Sequence, residues 1–449
     1  MKTHVFHRDL NMQMPIAKTG KGATIIDAQG RHYIDASGGA AVSNIGHDNQ
    51  NVRAAMHAQI DQLAFAHTAF FTSEPAENLA NFLVTHAPGE METAYFVSSG
   101  SEAIETALKM ARQYFVEKGE DYRRYFIARQ QSYHGNTLGA LALGGNEWRK
   151  KKFNPLLSTH ARVSPCYPYR NQLAGESDEE YANRLADELE QQIITLGAKN
   201  VIAFVCETVS GATLGAQPAV KNYFKKIKAI CKAYGILLIL DEIMCGMGRT
   251  GSLFAYEQEH ITPDMVAIAK GLGGGYQPIG AVLCHHDIFE SFVQGSGVFT
   301  NGHTYLGHPV ACATALAVQQ EIQKNHLLTN VCEMGQYMHQ KLCARFLDHP
   351  NVGDIRGRGL FWAIEFVKNK KDKTPFDPTF NLHLKLKKHA MEQGLICYPN
   401  GGTIDGRLGD HVLLAPPFIA DQALVDEIIE RLYLAFETAL SSCDDWSCL

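Results

Sequence analysis

Residues 236–242 read Ile236-Leu237-Leu238-Ile239-Leu240-Asp241-Glu242, an unbroken apolar run that stops abruptly at two acids. Fed by a helix-like stretch over residues 221–234, such a run is expected to be a parallel strand buried on both faces. Asp241 then stands at a carboxyl end, where open α/β sheets gather their ligands. A second short run, residues 265–269, ends in Lys270 and breaks into Gly271-Leu272-Gly273-Gly274-Gly275. One carboxylate and one amine therefore close neighbouring strands, with glycines clearing space beside the amine.

That pair has a chemical use. A lysine can bond as an imine to the aldehyde of pyridoxal phosphate, and an acid can keep the pyridine nitrogen protonated so that the ring takes up electrons. The rest of the composition leaves room for such an enzyme. The chain has 449 residues, long enough for a large core and for two domains. Its formal net charge of -6 gives no electrostatic reason to expect nucleic acid or an anionic membrane as partner. The first eight residues have no apolar core of signal-peptide length, and no apolar run approaches the ~20 residues that span a bilayer. The 11 cysteines are scattered, with no Cys-x-x-Cys pair. This argues against a disulfide framework or zinc site and for a cytoplasmic enzyme.

Working outward, residues 94–97 read as a strand that Ser99-Gly100-Ser101-Glu102 turns into a helix, in the S-x-x-E capping pattern. Ala103, Ile104, Ala107, Leu108, Ala111 and Phe115 form its apolar face. Free N–H groups and hydroxyls at such a helix start can hold a phosphate. Residues 125–129 are another strand, followed by Tyr133-His134-Gly135, where an aromatic at a strand mouth could stack on a planar cofactor. The cluster over 147–152 reads as a solvated charged face, and 167–177 as a surface loop before a helix over 178–196. Residues 201–206 are strand-like and end in Glu207. The adjacent His285 and His286 would point to opposite faces of a strand and could not share a metal.

Strands alternating with helices over roughly residues 90–320 give the doubly wound pattern. Beyond about 325 the texture is α+β, with helices over 331–347, 380–392 and 421–440. Residues 360–366 alternate, as a strand with one exposed face would, and a further strand lies near 411–414. Strand signals at 24–27 and 32–35 suggest that the first residues fold against this cap. The expected organisation is residues 1–55 and 325–449 in a small α+β domain, with 56–324 as the large domain.

Read together, Ser98-Ser99-Gly100-Ser101-Glu102-Ala103, Tyr133-His134-Gly135, Asp241-Glu242-Ile243, Gly248-Arg249-Thr250-Gly251, Lys270-Gly271 and Gly302-His303-Thr304-Tyr305 resemble class III aminotransferases. The resemblance runs to Leu414-Ala415-Pro416-Pro417-Phe418, covers almost the whole chain, and is strongest to the ω-aminotransferase branch. It implies the pyridoxal-phosphate fold type I: a large, mostly parallel, doubly wound domain and a smaller α+β domain built from both chain ends.

The resemblance also implies roles. Lys270 would bond to the cofactor and shuttle the proton, and Asp241 would pair with the pyridinium nitrogen. Tyr133 and Ile243 would cover the two ring faces, beside His134. Ser99, Gly100 and Ser101 would hold the phosphate, joined by Thr304 of the partner subunit in a homodimer, or a tetramer of such dimers. Glu207 would orient the site from behind.

Departures from the pattern bear on substrate. The position of a gating glutamate is Ala212, and that of a frequent glutamine is Met244. Where related enzymes place a mobile arginine, this chain has Tyr398, and the nearest arginine is Arg407. Arg407 is therefore expected to bind the keto-acid carboxylate, since guanidinium favours bidentate carboxylate contacts.

Rival readings fail on detail. Gly271-Leu272-Gly273-Gly274-Gly275-Tyr276 lacks the third glycine of a dinucleotide fingerprint, and Pro278 follows where a helix should start. Gly20-Lys21-Gly22 is no P-loop, and the 20 histidines include no H-E-x-x-H. A non-catalytic binding protein would have no chemical need for the lysine. The expected activity is ping-pong transfer of an amino group from an amine, diamine or ω-amino acid to a small keto acid, pyruvate in preference to 2-oxoglutarate. An aminomutase, racemase or decarboxylase on the same fold is the alternative.

Overall fold

The computed structural model describes residues 3–442. At its centre is a seven-stranded sheet in the order Met91–Val97, Gly280–His285, Met265–Ile268, Leu237–Asp241, Val201–Glu207, Tyr125–Arg129, Ala161–Val163. Gly280–His285 runs antiparallel to both neighbours, and every other pairing is parallel. The Leu237–Asp241 strand is buried at every position, as its unbroken apolar run requires. Its side chains divide by the two-residue period of a strand. Leu238 and Leu240 join the core on one face with Phe204, Cys206 and Ile268, while Leu237 and Ile239 join the core on the other with Ala203, Val205 and Ala267.

The helix before this strand, Tyr223–Tyr234, ends where Gly235 takes a left-handed conformation (φ 60°) and turns the chain into the sheet. The register then sets the site. Asp241 pairs with Glu207 on one side and with Ala267 on the other, so two acids stand side by side at the carboxyl edge, three residues' travel from Lys270.

Two four-stranded sheets make up the smaller part. Ala17–Lys21, Thr24–Asp27 and His32–Asp35 form an antiparallel set to which Leu395–Ile396 adds in parallel, which ties the two ends of the chain together. Val352–Arg358, Phe361–Phe366, Asp410–Leu414 and Tyr398–Gly401 form the other, entirely antiparallel. The helices Leu327–Phe346, Leu382–Glu392 and Gln422–Ser441 supply its core together with Ile34 and Val52. Residues 1–2 and 443–449, the outer ends of the expected small domain, lie outside the described residues.

Three expectations are corrected here. The Phe361–Phe366 strand has no exposed face: Trp362, Ile364 and Phe366 pack on the helices, and Phe361 and Ala363 pack against Val209 and Ala212 of the large part. Glu365 is buried on that second face because Arg170 Nε and Arg356 NH1 both meet it at 2.8 Å and the Tyr167 hydroxyl donates to it. For the same reason 167–177 is no simple surface loop, since Tyr167 is fully buried beneath it. His285 ends its strand, with Nε2 3.7 Å from Glu90, and His286 starts a helix, with Nδ1 2.8 Å from Glu92, so the two do not share a strand.

Candidate active site

A cavity of about 670 Å³ opens at the carboxyl edge of the central sheet. Its wall includes Ser99, Gly100, Ser101, Tyr133, His134, Glu207, Asp241, Ile243, Lys270 and Tyr398, residues singled out along 300 positions of sequence. Asp241 is buried at its floor, where Oδ1 accepts the Ile243 N–H at 3.0 Å and Oδ2 lies 2.8 Å from Nδ1 of buried His134. Nε2 of His134 is buried without a hydrogen-bond partner among the described residues. Beside it, Glu207 accepts from Gly211 N at 2.6 Å and from Tyr133 N at 3.3 Å. Burial pushes the Glu207 carboxyl above the usual range, reinforced by Asp241 and opposed by His134.

Lys270 follows the Met265–Ile268 strand in a left-handed conformation, φ 46°, which is costly for a residue with a side chain. Burial lowers its amine pKa and outweighs the opposing pull of Asp241 and Glu207. Burial therefore favours the neutral, nucleophilic form of the amine.

The opposite end of the cavity is a helix start. Ser99 caps Gly100–Glu117 by accepting from Glu102 N at 3.3 Å. The reciprocal bond goes one residue further back, from Ser98 N to Glu102 Oε2 at 2.8 Å. Gly100 is required by packing: a Cβ there would lie 2.8 Å from Ile243 Cγ2. Ser101 Oγ accepts from Asn136 N at 3.0 Å, which leaves its proton to donate elsewhere. Free N–H groups and a hydroxyl at a helix start, with Tyr133, Ile243, an acid and an amine lining the same cavity, fit pyridoxal phosphate in size and donor type.

Two expected site residues stand outside the cavity. Thr304 is exposed, on a loop whose His303 reaches Ser98 Oγ at 3.1 Å. Arg407 is also exposed, because its loop folds back on itself: Gly402 N donates to Gly409 O at 2.7 Å, and Asp405 Oδ1 accepts from Arg407 N at 2.8 Å. The structure does not bring Arg407 to the site.

The guanidiniums that do line the cavity are Arg149 and Arg8. The charge cluster read as a solvated face is solvated only in part. Trp148 is 70% exposed, but Arg149 turns inward and lies 4.7 Å from the centroid of the Tyr133 ring. The Gly144-Gly145 pair was the available signal. A Cβ on Gly145 would lie 2.2 Å from Arg129 O, so only glycine lets this segment run against the strand end and carry Arg149 inward.

A large, mostly parallel sheet with a lysine–aspartate pair at its carboxyl edge is the architecture of fold type I pyridoxal-phosphate enzymes. The aminotransferase class-III description matches residues 5–436. An uncharacterized aminotransferase of Schizosaccharomyces pombe is 46% identical, over 96% of this chain and 94% of its own length. The diaminobutyrate–2-oxoglutarate transaminase of Halomonas elongata is 34% identical over 92% of this chain and 88% of its own. Among solved structures, the ω-transaminase of Pseudomonas jessenii in complex with PMP superposes with a TM-score of 0.92 at 34% identity, covering 99% of this chain and 97% of that one. The chain belongs to the class III aminotransferases, and its cofactor is pyridoxal phosphate.

Proposed function

We propose that this enzyme moves an amino group from an ω-amino acid, diamine or simple amine to a small keto acid by ping-pong exchange, with Lys270 and Asp241 as its catalytic residues. The observation that carries the reading is the placement of Lys270, Asp241 and the Gly100–Glu117 helix start around one cavity. Bound pyridoxal phosphate supplies an aldehyde that holds the substrate nitrogen and a ring that takes up electrons from its carbon.

The protein's own groups do the rest. Lys270 Nζ, whose neutral form burial favours, takes a proton from the substrate carbon and returns it. Asp241, oriented by His134 and the Ile243 N–H, holds the ring nitrogen's proton. Glu207 positions Tyr133 through its backbone N–H. Ser99, Gly100 and Ser101 receive the phosphate, completed by Thr304 of the partner subunit. Thr304 lies beside an exposed apolar group, Phe65, Phe70, Phe71 and Tyr305, with Phe65 and Tyr305 centroids 5.6 Å apart. Such a patch favours burial in a homodimer.

Carboxylate recognition falls to Arg149 with Arg8 in place of Arg407, since neither cavity arginine has an acidic partner among the described residues. Tyr398 narrows the same end. Small Ala212 and apolar Met244 at the wall favour pyruvate. The second reading, 2-oxoglutarate as acceptor, is favoured by the two arginines, which suit a dicarboxylate. The nine described cysteines are free thiols, which suits the cytoplasm. A coupled assay of amine donors against both keto acids tests the reading. Turnover with either supports transamination, and its absence with every donor, alongside racemisation or decarboxylation, refutes it.

A further inference from the structure

The turn that carries Lys270 is held from behind by two buried carboxamides. Asn44 Nδ2 donates to Gly271 O at 2.9 Å, and Gln319 Nε2 donates to the same oxygen at 3.0 Å and to Leu272 O at 2.9 Å. Asn44 is 1% exposed and Gln319 is fully buried. They come from distant parts of the chain: Asn44 follows the segment that lines the cavity with Ala40 and Val42, and Gln319 lies on the Pro309–Lys324 helix. The fit is close. A Cβ on Gly271 would lie 3.0 Å from Asn44 Nδ2, and one on Gly274 would lie 3.0 Å from Asn44 Oδ1.

The arrangement is costly for stability alone. Asn44 Oδ1 and Gln319 Oε1 are both buried without a hydrogen-bond partner among the described residues, and one donor would satisfy the carbonyl. The turn itself is unfavourable, with Lys270 at φ 46° and its carbonyl accepting from Gly273 N at 3.1 Å and Gly274 N at 3.0 Å. A lysine in this conformation persists only where its surroundings over-determine it. Two lone pairs of Gly271 O, filled from two directions, fix the Gly271–Leu272 peptide plane, one residue beyond Lys270.

We propose that Asn44 and Gln319 are positioning residues that clamp the Gly271 carbonyl, hold Lys270 in its left-handed turn and so set where Nζ stands in the cavity. Asn44 also joins the turn to the small part of the protein, since its backbone carbonyl accepts from Phe418 N at 2.6 Å. Ordering of the segment around Asn44 is thereby coupled to the placement of the amine. The proposal rests on the reading of Lys270 as the cofactor-bonding residue.

The test uses Asn44→Asp and Gln319→Glu, which keep shape but remove the donor, and Gln319→Met, which removes donor and orphaned oxygen together and remains foldable. Hydrogen exchange of residues 271–274 in the cofactor-free protein is expected to rise about tenfold, the loss of one buried hydrogen bond. In the loaded enzyme the pH midpoint of the visible absorption band should shift, and kcat should fall about tenfold while KM for the keto acid changes less than about twofold. Folded variants with unchanged exchange, midpoint and kcat would overturn the clamp. So would a uniform loss of stability with the midpoint and kcat preserved. A Lys270→Ala protein that still develops the wild-type band would instead sink the reading of Lys270, while the exchange measurement would still judge the clamp.

Discussion

Lys270 shows why a residue's chemistry cannot be read apart from its neighbours. In water its amine would be almost wholly charged at neutral pH, and burial beside Asp241 and Glu207 moves that balance. Replacing it with alanine is expected to lower kcat by at least about 10³-fold while leaving the fold intact, since both nucleophile and proton carrier are lost. Arg149→Ala should raise KM for the keto acid roughly 10–100-fold with a smaller change in kcat, the cost of a charge-assisted contact. Arg407→Ala should leave both near wild type, and steady-state kinetics on the two variants checks the assignment. Glu242 gives a pH prediction. Burial pushes it up to about 7, despite donors at 2.8 Å from Thr208, 2.6 Å from Ala255 N and 2.7 Å from Tyr256 N. The native chain therefore keeps a proton that the unfolded chain has released, so this group's contribution to stability falls as pH rises from 4.5 to about 7. Denaturation midpoints across that window should show the slope, and Glu242→Gln should flatten it.

At the scale of elements, strands and capped helices were readable because their signals are local. The run ending at Asp241 and the Ser99–Glu102 start carry their period and caps in consecutive residues, and the structure keeps both. What was not readable depends on close approach between distant segments. The expected exposed face of Phe361–Phe366 is closed by Tyr167, Arg170 and Arg356, and nothing near Glu365 in sequence announces those partners. Arg149 was missed for the same reason, since its direction is set by Gly145 running against Arg129 O. Lys270 and Asp241 could be paired because adjacent parallel strands carry them. Gly100→Ala tests the helix start. The added methyl at 2.8 Å from Ile243 should cost about 1–3 kcal/mol where it must be accommodated and weaken cofactor affinity, measured by equilibrium titration.

At the scale of the molecule, the smaller part is joined to the larger by buried charge. Glu365 meets guanidiniums from the 168–171 helix and the Val352–Arg358 strand. Glu365→Leu would leave Arg170 buried without its acid and Arg356 with Asp354 alone, and unfolding by denaturant should show a loss of roughly 3–5 kcal/mol. The proposed homodimer has its own test. In mixed dimers of Lys270→Ala and Thr304→Ala subunits, the single intact lysine faces the unaltered threonine of its partner. Cofactor affinity at that site should match wild type, and a weakened site would place Thr304 in its own subunit's cavity.

The central claim is that one lysine at the carboxyl edge of this sheet bonds the cofactor. Borohydride reduction of the protein loaded with pyridoxal phosphate, followed by peptide mass mapping, addresses it directly. The phosphopyridoxyl mass is expected on the peptide containing Lys270, in about equal amount to subunits, and is expected to be lost in Lys270→Ala. The same mass on another lysine, or none on this peptide, would contradict it.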